Sequence, residues 1–300
     1  MHRYLLHNHE ICAANAAGDV HLAEAAALSP GQVGLLSGWG VFSTIRIYDG
    51  VMFQWERHWQ RMKRDAMRMR VPFPSDPRWI EEGMYRLIEA NGAANATLRA
   101  VIVRNQGGLW EGAGQTREFD ILGLTANVIS WPAAVKLGTV ANARHAASEF
   151  AGTKYLSWAE NLTRYERAHV DGLDEVILLN ERGEVAECTS ANIFIVKDSR
   201  VSTPPLSAGC LPGVTRALLL EEIRVPGIEI AEQTLMPGDL NTADEVFITS
   251  TTRELLPVSQ IDGRNRTGSN ATCKRLQEAF KQHVEQYVAA HARKPAYHVG

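Results

Sequence analysis

Residues 174–205 read DEVILLNERGEVAECTSANIFIVKDSRVSTPP, and no other stretch constrains the fold as tightly. Short runs of Val, Ile, Leu and Phe are broken at Glu181-Arg182-Gly183 and at Lys197-Asp198-Ser199, residue types that reverse a chain. The spacing predicts three antiparallel strands in a β-meander. Connections this short cannot contain the crossover that parallel neighbours need. With helices set beside such strands elsewhere, the chain is expected to be α+β and not a doubly wound parallel sheet.

The remaining elements fall around this one. VFSTIRIYDGVMFQW predicts a hairpin of two strands about Asp49-Gly50. Trp55, Trp59, Met62, Ala66 and Met69 then recur in 4-3-4-3 spacing, which predicts an amphipathic helix over about 56–69. DPRWIEEGMYRLIEANG predicts a second helix, closed by Asn91-Gly92. ATLRAVIVRN and EFDILGLTANVI predict strands around a loop whose glycine-rich part, QGGLWEGAG, is a candidate flap. Beyond a connecting stretch at 130–134, VKLGTVANA and DEVFITS predict strands, and helices are expected at about 157–171, 214–224 and 270–291. A chain of 300 residues can bury two cores. The expected division is a smaller N-terminal α/β domain (1–125), a linker (126–134) and a larger C-terminal domain (135–300) with a meander or barrel-like sheet.

Composition removes several function classes. A formal net charge of −3 gives no general attraction to nucleic acid or to an anionic membrane. Arg57, Arg61, Arg64 and Arg68 do form a stripe at helical spacing, but Glu56 and Asp65 interrupt it. No apolar run approaches the roughly 18 residues of a membrane span. The first twenty residues are broken by polar groups and lack a signal-peptide core. Four dispersed cysteines without a CxxC pair predict a reduced, cytoplasmic protein with neither disulfides nor a cysteine-type zinc site. His7 and His9 have no acidic or cysteine partner in register, so no metal site is expected. Gly38-Trp39-Gly40 is a fragment of a dinucleotide fingerprint that opens a strand, not a helix.

Candidate chemistry centres on Lys154, the single lysine between Lys136 and Lys197, in EFAGTKYLSW. A lone lysine is ordinarily a solvated cation. Glu187 lies among apolar strand positions, where a carboxylate either faces solvent or is buried against a cationic or hydrogen-bonding partner. CLPGVTRALLLEEI puts Gly213, Val214 and Thr215 at a helix N-terminus, whose free N–H groups favour a phosphate. ITSTTRELLP supplies Ser250, Thr251 and Thr252 directly after a strand. Each segment alone is an ordinary cap or turn, and Arg61 alone is an ordinary basic helix residue. Together, a reactive amine, a carboxylate and a phosphate cradle are the parts that a pyridoxal 5'-phosphate enzyme requires.

The chain resembles the class IV aminotransferases of the fold-type-IV pyridoxal phosphate enzymes. That group includes branched-chain aminotransferases, D-amino-acid aminotransferases and aminodeoxychorismate lyases. Six motifs carry the resemblance in order: GWGVFSTIRIYDG, HWQRM, GTKYLSW, DEVILLNERGEVAECTSANIF, PPLSAGCLPGVTR and ADEVFITSTTRELLPV. It implies that Lys154 is both the Schiff-base lysine and the acid/base that moves the substrate proton, so that it must be neutral part of the time. It implies further that Glu187 pairs with the pyridine nitrogen, that Arg61, Val214, Thr215 and Thr251, with Ser250, hold the phosphate, and that Leu211 packs against the ring. Asn192 is expected to support the loop. The implied assembly is a homodimer with the cofactor between the two domains, acting on an amino acid and a 2-oxo acid.

Several positions depart from the family pattern. Trp158 stands nearest to where branched-chain members carry a tyrosine, and Cys188 follows Glu187 where glycine is usual; its plain reading is a small apolar filler. Ser43 occupies a common glutamate position and is followed by Thr44, a hydroxyl pair that resembles the lyases. Arg99 matches the arginine of branched-chain enzymes, and Arg104 that of D-amino-acid and lyase members; either could hold a substrate carboxylate. Thr44 and Trp158 are further expected substrate contacts. A branched-chain-type transaminase is the leading expectation. The alternatives are an aminodeoxychorismate lyase, a D-amino-acid or (R)-amine transaminase, and a non-enzymatic scaffold of the same fold.

Overall fold

The computed structural model describes residues 1–13, 33–108 and 117–292. They form two compact units. The first takes in the described residues of Met1–Ile129, the short segment Lys154–Ser157 and the described residues from Val284 onward. The second comprises Ser130–Thr153 and Trp158–His283.

In the first unit the elements are β1 (Tyr4–His7), β2 (Glu10–Ala13), α1 (Val33–Ser37), β3 (Gly40–Tyr48), β4 (Val51–Met52), α2 (Trp55–Arg68), α3 (Arg78–Ala90), β5 (Ala96–Arg104) and β6 (Phe119–Asn127). The six strands pair antiparallel in the order β2-β1-β6-β5-β3-β4. Asp49 and Gly50 both take positive φ, 47° and 81°, as a tight two-residue hairpin turn demands. Alternation along β3 and β5 decides what each face carries. Val41, Ile45, Ile47, Leu98, Ala100 and Ile102 join one core with Trp55, Trp59, Met62 and Ala66 of α2 and Met84 and Leu87 of α3. Each large aliphatic side chain buried in this way contributes about 1.5–3 kcal/mol. Phe42, Thr44, Arg99 and Val101 fall on the other face, with Thr44 opposite Arg99 and Phe42 opposite Val101.

Lys154–Ser157 extends this sheet along the free side of β3. Tyr155 bridges Val41, the Phe42 N–H donates to the Lys154 carbonyl (3.2 Å), and the Leu156 N–H donates to the Gly40 carbonyl (2.9 Å).

In the second unit the elements are β7 (Val135–Arg144), α4 (Ala159–Val170), β8 (Glu175–Asn180), β9 (Val185–Cys188), β10 (Asn192–Lys197), β11 (Arg200–Thr203), α5 (Val214–Glu221), β12 (Glu229–Glu232), α6 (Pro237–Thr242), β13 (Glu245–Ser250), β14 (Glu254–Ile261) and β15 (Arg264–Asn265), followed by α7 (Ala271–His291), whose last turns belong to the first unit. Strand order is β12-β11-β10-β13-β14-β7-β8-β9, with β15 beside β14. The sheet curls enough for Val185 and Cys188 at one end to share a core with Ile193 and Ile195 near the other.

Two expectations change. The predicted three-strand meander is four strands in two hairpins, because the apolar run after Gly183 breaks at 189–191. There the Thr189 N–H (3.2 Å), the Thr189 hydroxyl and the Ser190 hydroxyl (2.6 Å) all donate to the buried Glu175 carboxylate. The sheet is also mixed: β7 is parallel to both β14 and β8, and α4 supplies the crossover from β7 to β8. Strands β1 and β2 at the N-terminus, and β12, β14 and β15, were not expected from the sequence. The candidate flap lies outside the described residues from Leu109 onward.

Glu175 and Arg253 form a deeply buried ion pair (3.3 Å; side chains 0% and 4% exposed). Arg253 also donates to the Ser190 hydroxyl (2.9 Å) and stacks on Trp131 at 4.0 Å. Arg253→Met strands the carboxylate and is expected to cost about 3–5 kcal/mol in urea unfolding. The double variant with Glu175→Leu is expected to cost much less than the sum of the two single changes.

Candidate active site

On α2, His58, Arg61 and Asp65 stand on one helix face by their i, i+3, i+7 spacing. All three are buried, at 1%, 9% and 1% exposure. Ser43, on the core face of β3 and fully buried, meets them. Arg61 donates from an Nη to Ser43 Oγ at 2.7 Å, and Ser43 Oγ lies 2.7 Å from His58 Nδ1. The hydroxyl accepts from arginine, and its own proton can go to the imidazole Nδ1 in the tautomer that carries hydrogen on Nε2. Burial, with Arg61 and Lys154 as neighbouring cations, holds His58 well below its ordinary 6.5. Burial also lowers the Arg61 guanidinium to about 10, with Asp65 opposing the fall, so Arg61 remains a cation at neutral pH. Asp65 accepts the Lys154 backbone N–H on one oxygen (3.1 Å) and Arg64 Nε on the other (2.9 Å).

Lys154 is half-buried, with Nζ 4.6 Å from the centroid of Phe42. Arg99 places its guanidinium carbon 4.2 Å from the same ring. An amine, a guanidinium and the Thr44 hydroxyl position thus share one face over an apolar floor of Phe42 and Val101. Arg104 is engaged elsewhere. Its guanidinium lies 4.1 Å over Trp39 and donates to the carbonyls of Gln106 (2.6 Å) and Arg70, so it braces the end of β5.

The second unit gathers the other candidates. Glu187 is 7% exposed; one oxygen takes Arg144 Nε at 3.0 Å and the other the Leu211 N–H at 3.0 Å. Arg144 also donates to Asn161 Oδ1 (3.0 Å), and Asn161 donates to the Thr189 carbonyl (3.1 Å). The chain from Leu211 to α5 is held by Asn192, whose Nδ2 donates to the Leu211 carbonyl at 2.8 Å. A Cβ on Gly213 would come within 2.1 Å of the Asn192 Oδ1, so any larger residue before α5 would displace the Asn192 amide. Val214 and Thr215 open α5, which has no side-chain cap hydrogen bond. Asn192 pairs with Thr249 across β10 and β13, so Ser250, the last residue of β13, and Thr251 after it lie at the same strand end. The buried Thr249 hydroxyl has no hydrogen-bond partner. Trp158 precedes the first turn of α4 and is half-buried. Cys188 is fully buried in the core, and burial raises its thiol well above 9.0.

The sequence profile described as amino-transferase class IV matches residues 40–261. The branched-chain-amino-acid aminotransferase of Escherichia coli K12 is 31% identical over 268 residues, covering 81% of this chain and 83% of the relative. The solved structure of the Escherichia coli branched-chain amino acid aminotransferase superposes with a TM-score of 0.81 at 27% identity, covering 95% of each chain. A hypothetical aminotransferase from Mycobacterium tuberculosis, solved in a PLP-bound form, superposes at 0.76 with 22% identity, covering 93% of this chain and 99% of that one.

The chain belongs to the class IV aminotransferases. It is a transaminase of the fold-type-IV class, and its cofactor is pyridoxal 5'-phosphate. The donor set suits that group: an amine, a buried carboxylate, a buried arginine, an uncapped helix N-terminus and an orphaned hydroxyl beside Ser250 and Thr251. Arg144, His58, Asp65 and Asn161 escaped the sequence reading, because a single polar residue on a strand or helix carries no periodic signal of what it meets.

His58 yields a pH prediction. The unfolded chain protonates this imidazole near pH 6.5 and the folded chain only well below. The unfolded state therefore binds more protons in that interval, and stability falls as the pH drops. The slope from one such group reaches about 1.4 kcal/mol per pH unit. His58→Asn, with an acceptor near the Nδ1 position, is expected to flatten this part of the urea-stability profile between pH 7 and 5.

Proposed function

We propose that this aminotransferase moves the amino group between branched-chain amino acids and 2-oxo acids. The carrying observation is the shared Phe42 ring, which sets the Lys154 amine and the Arg99 guanidinium on one face of the sheet. A carboxylate clamp beside an apolar floor suits an amino acid with an aliphatic side chain. The Escherichia coli relative's name, branched-chain-amino-acid aminotransferase, supports the same choice.

When bound, pyridoxal phosphate supplies an aldehyde that condenses with amines and a ring that accepts electrons from the substrate's α-carbon. Lys154 would hold the cofactor through its amine and, once displaced by the substrate amine, carry the α-proton. Glu187, fixed by Arg144 and the Leu211 N–H, would face the ring nitrogen as a carboxylate. Arg61, Val214, Thr215, Ser250 and Thr251 would bind the phosphate, and Leu211 would pack on the ring. Arg99 would take the substrate carboxylate by paired hydrogen bonds, with Thr44 and Trp158 as further contacts. We leave Arg104 out of this set because its donors serve backbone carbonyls.

We further propose a homodimer in the cytoplasm. The implied family assembly supports the first point, and four buried free thiols suit a reducing compartment.

The test is an amino-donor panel of L-Leu, L-Ile, L-Val, D-Ala and a chiral amine with 2-oxoglutarate or pyruvate, run beside pyruvate release from 4-amino-4-deoxychorismate. The L-branched-chain donors are expected to dominate, and Lys154→Ala to lower turnover by about a thousandfold or more. Pyruvate release outrunning amino transfer would instate a lyase.

A further inference from the structure

Ser43 breaks the family's sequence pattern, and its geometry accounts for it. It is fully buried, on the β3 face turned toward α2, and lies within 2.7 Å of both Arg61 and His58. Residues 42 and 44 point the opposite way, toward Arg99. Ser43 therefore touches Arg61, and reaches a ligand only through it.

We propose that Ser43 is the positioning residue for Arg61: its hydroxyl, backed by His58, fixes the guanidinium in the orientation that receives the cofactor's phosphate monoester. The inference rests on the reading of Arg61 as a phosphate ligand. Three physical points support it. An arginine side chain carries about 2 kcal/mol of rotamer entropy, so fixing it in advance removes a cost from anion binding. A hydroxyl holds the guanidinium without adding a second carboxylate to that of Asp65, whereas a carboxylate at residue 43 would form an ion pair with it and further weaken the field offered to a dianion. In the Nε2–H tautomer, His58 accepts the Ser43 hydroxyl hydrogen bond on Nδ1, which leaves the serine lone pairs to face Arg61. The depressed basicity of His58 preserves that polarity, since a protonated imidazole could not accept.

The experiment uses the full chain stripped of cofactor. Affinities for pyridoxal 5'-phosphate, for unphosphorylated pyridoxal and for inorganic phosphate are measured by calorimetric titration, with the unfolding temperature of each variant. Ser43→Ala is expected to weaken pyridoxal 5'-phosphate and inorganic phosphate about tenfold while leaving pyridoxal unmoved, the loss expected when a charged hydrogen bond goes. Ser43→Thr restores both affinities. His58→Leu repeats the loss and His58→Asn restores it, which keeps the test open should Ser43→Ala fold poorly. An unchanged ratio of pyridoxal 5'-phosphate to pyridoxal affinity in Ser43→Ala and His58→Leu overturns the proposal, as does a loss shared equally by pyridoxal. Arg61→Leu separates the two levels: if it too leaves the ratio unchanged, the phosphate reading of Arg61 fails, and the positioning role fails with it.

Discussion

Three backbone contacts on the edge of β3 organise the first unit's chemistry. Residues 154–156 lie against residues 40–42 through one bridge and two N–H···O=C hydrogen bonds, and Asp65 takes the Lys154 N–H. Lys154 is thus placed by its main chain. Its side chain runs to the Phe42 ring, with Nζ 4.6 Å from the centroid. The cost is topological: four residues of one unit are spliced into the sequence of the other. A one-residue slip of this pairing would turn the lysine to the other face.

Buried charge is handled by two chemistries. In the second unit, Glu187 and Glu175 are each met by an arginine and by backbone or hydroxyl donors, so removing one partner leaves a stranded charge. In the first unit, Arg61 donates to the Ser43 hydroxyl, which also meets His58, and Asp65, one helical turn further on, supplies a neighbouring negative charge while it accepts from Arg64 and the Lys154 N–H.

Periodicity made α2, α3 and the β3–β4 hairpin legible, because burial of one face repeats in the sequence at 3.6 or 2 residues. It failed where a side chain overrides the pattern. GEVAECTSANIF reads as one continuous strand, and nothing local announces that Glu175, fourteen residues before Thr189, will capture Thr189 and Ser190 and split it. β14 was hidden by Pro257, a residue that argues against an interior strand. In the fold, Pro257 faces Phe247 of β13, one residue before pairing with β7 begins at Val258, so its missing N–H falls at a handover between partners. The candidate residues named from the sequence stand in dense motifs. Arg144, ten residues before Lys154 in an unremarkable strand end, became visible only through its partner Glu187.

The departures from the family pattern also change meaning once strand parity is known. Cys188 follows Glu187 on β9, so the two side chains point to opposite faces, and the thiol enters the apolar core while the carboxylate meets Arg144. Filling a glycine position there is a matter of core volume and leaves the carboxylate's partners intact. Ser43 follows the same logic on β3. A hydroxyl at that position resembled the lyases, but its oxygen is committed to Arg61 and His58, on the face away from Arg99 and Lys154. It therefore cannot select a lyase substrate by contact, and the weight of that resemblance shifts to Thr44, the neighbour that stands opposite Arg99. Chemical type at a motif position speaks to substrate only when its parity turns it toward the substrate's face.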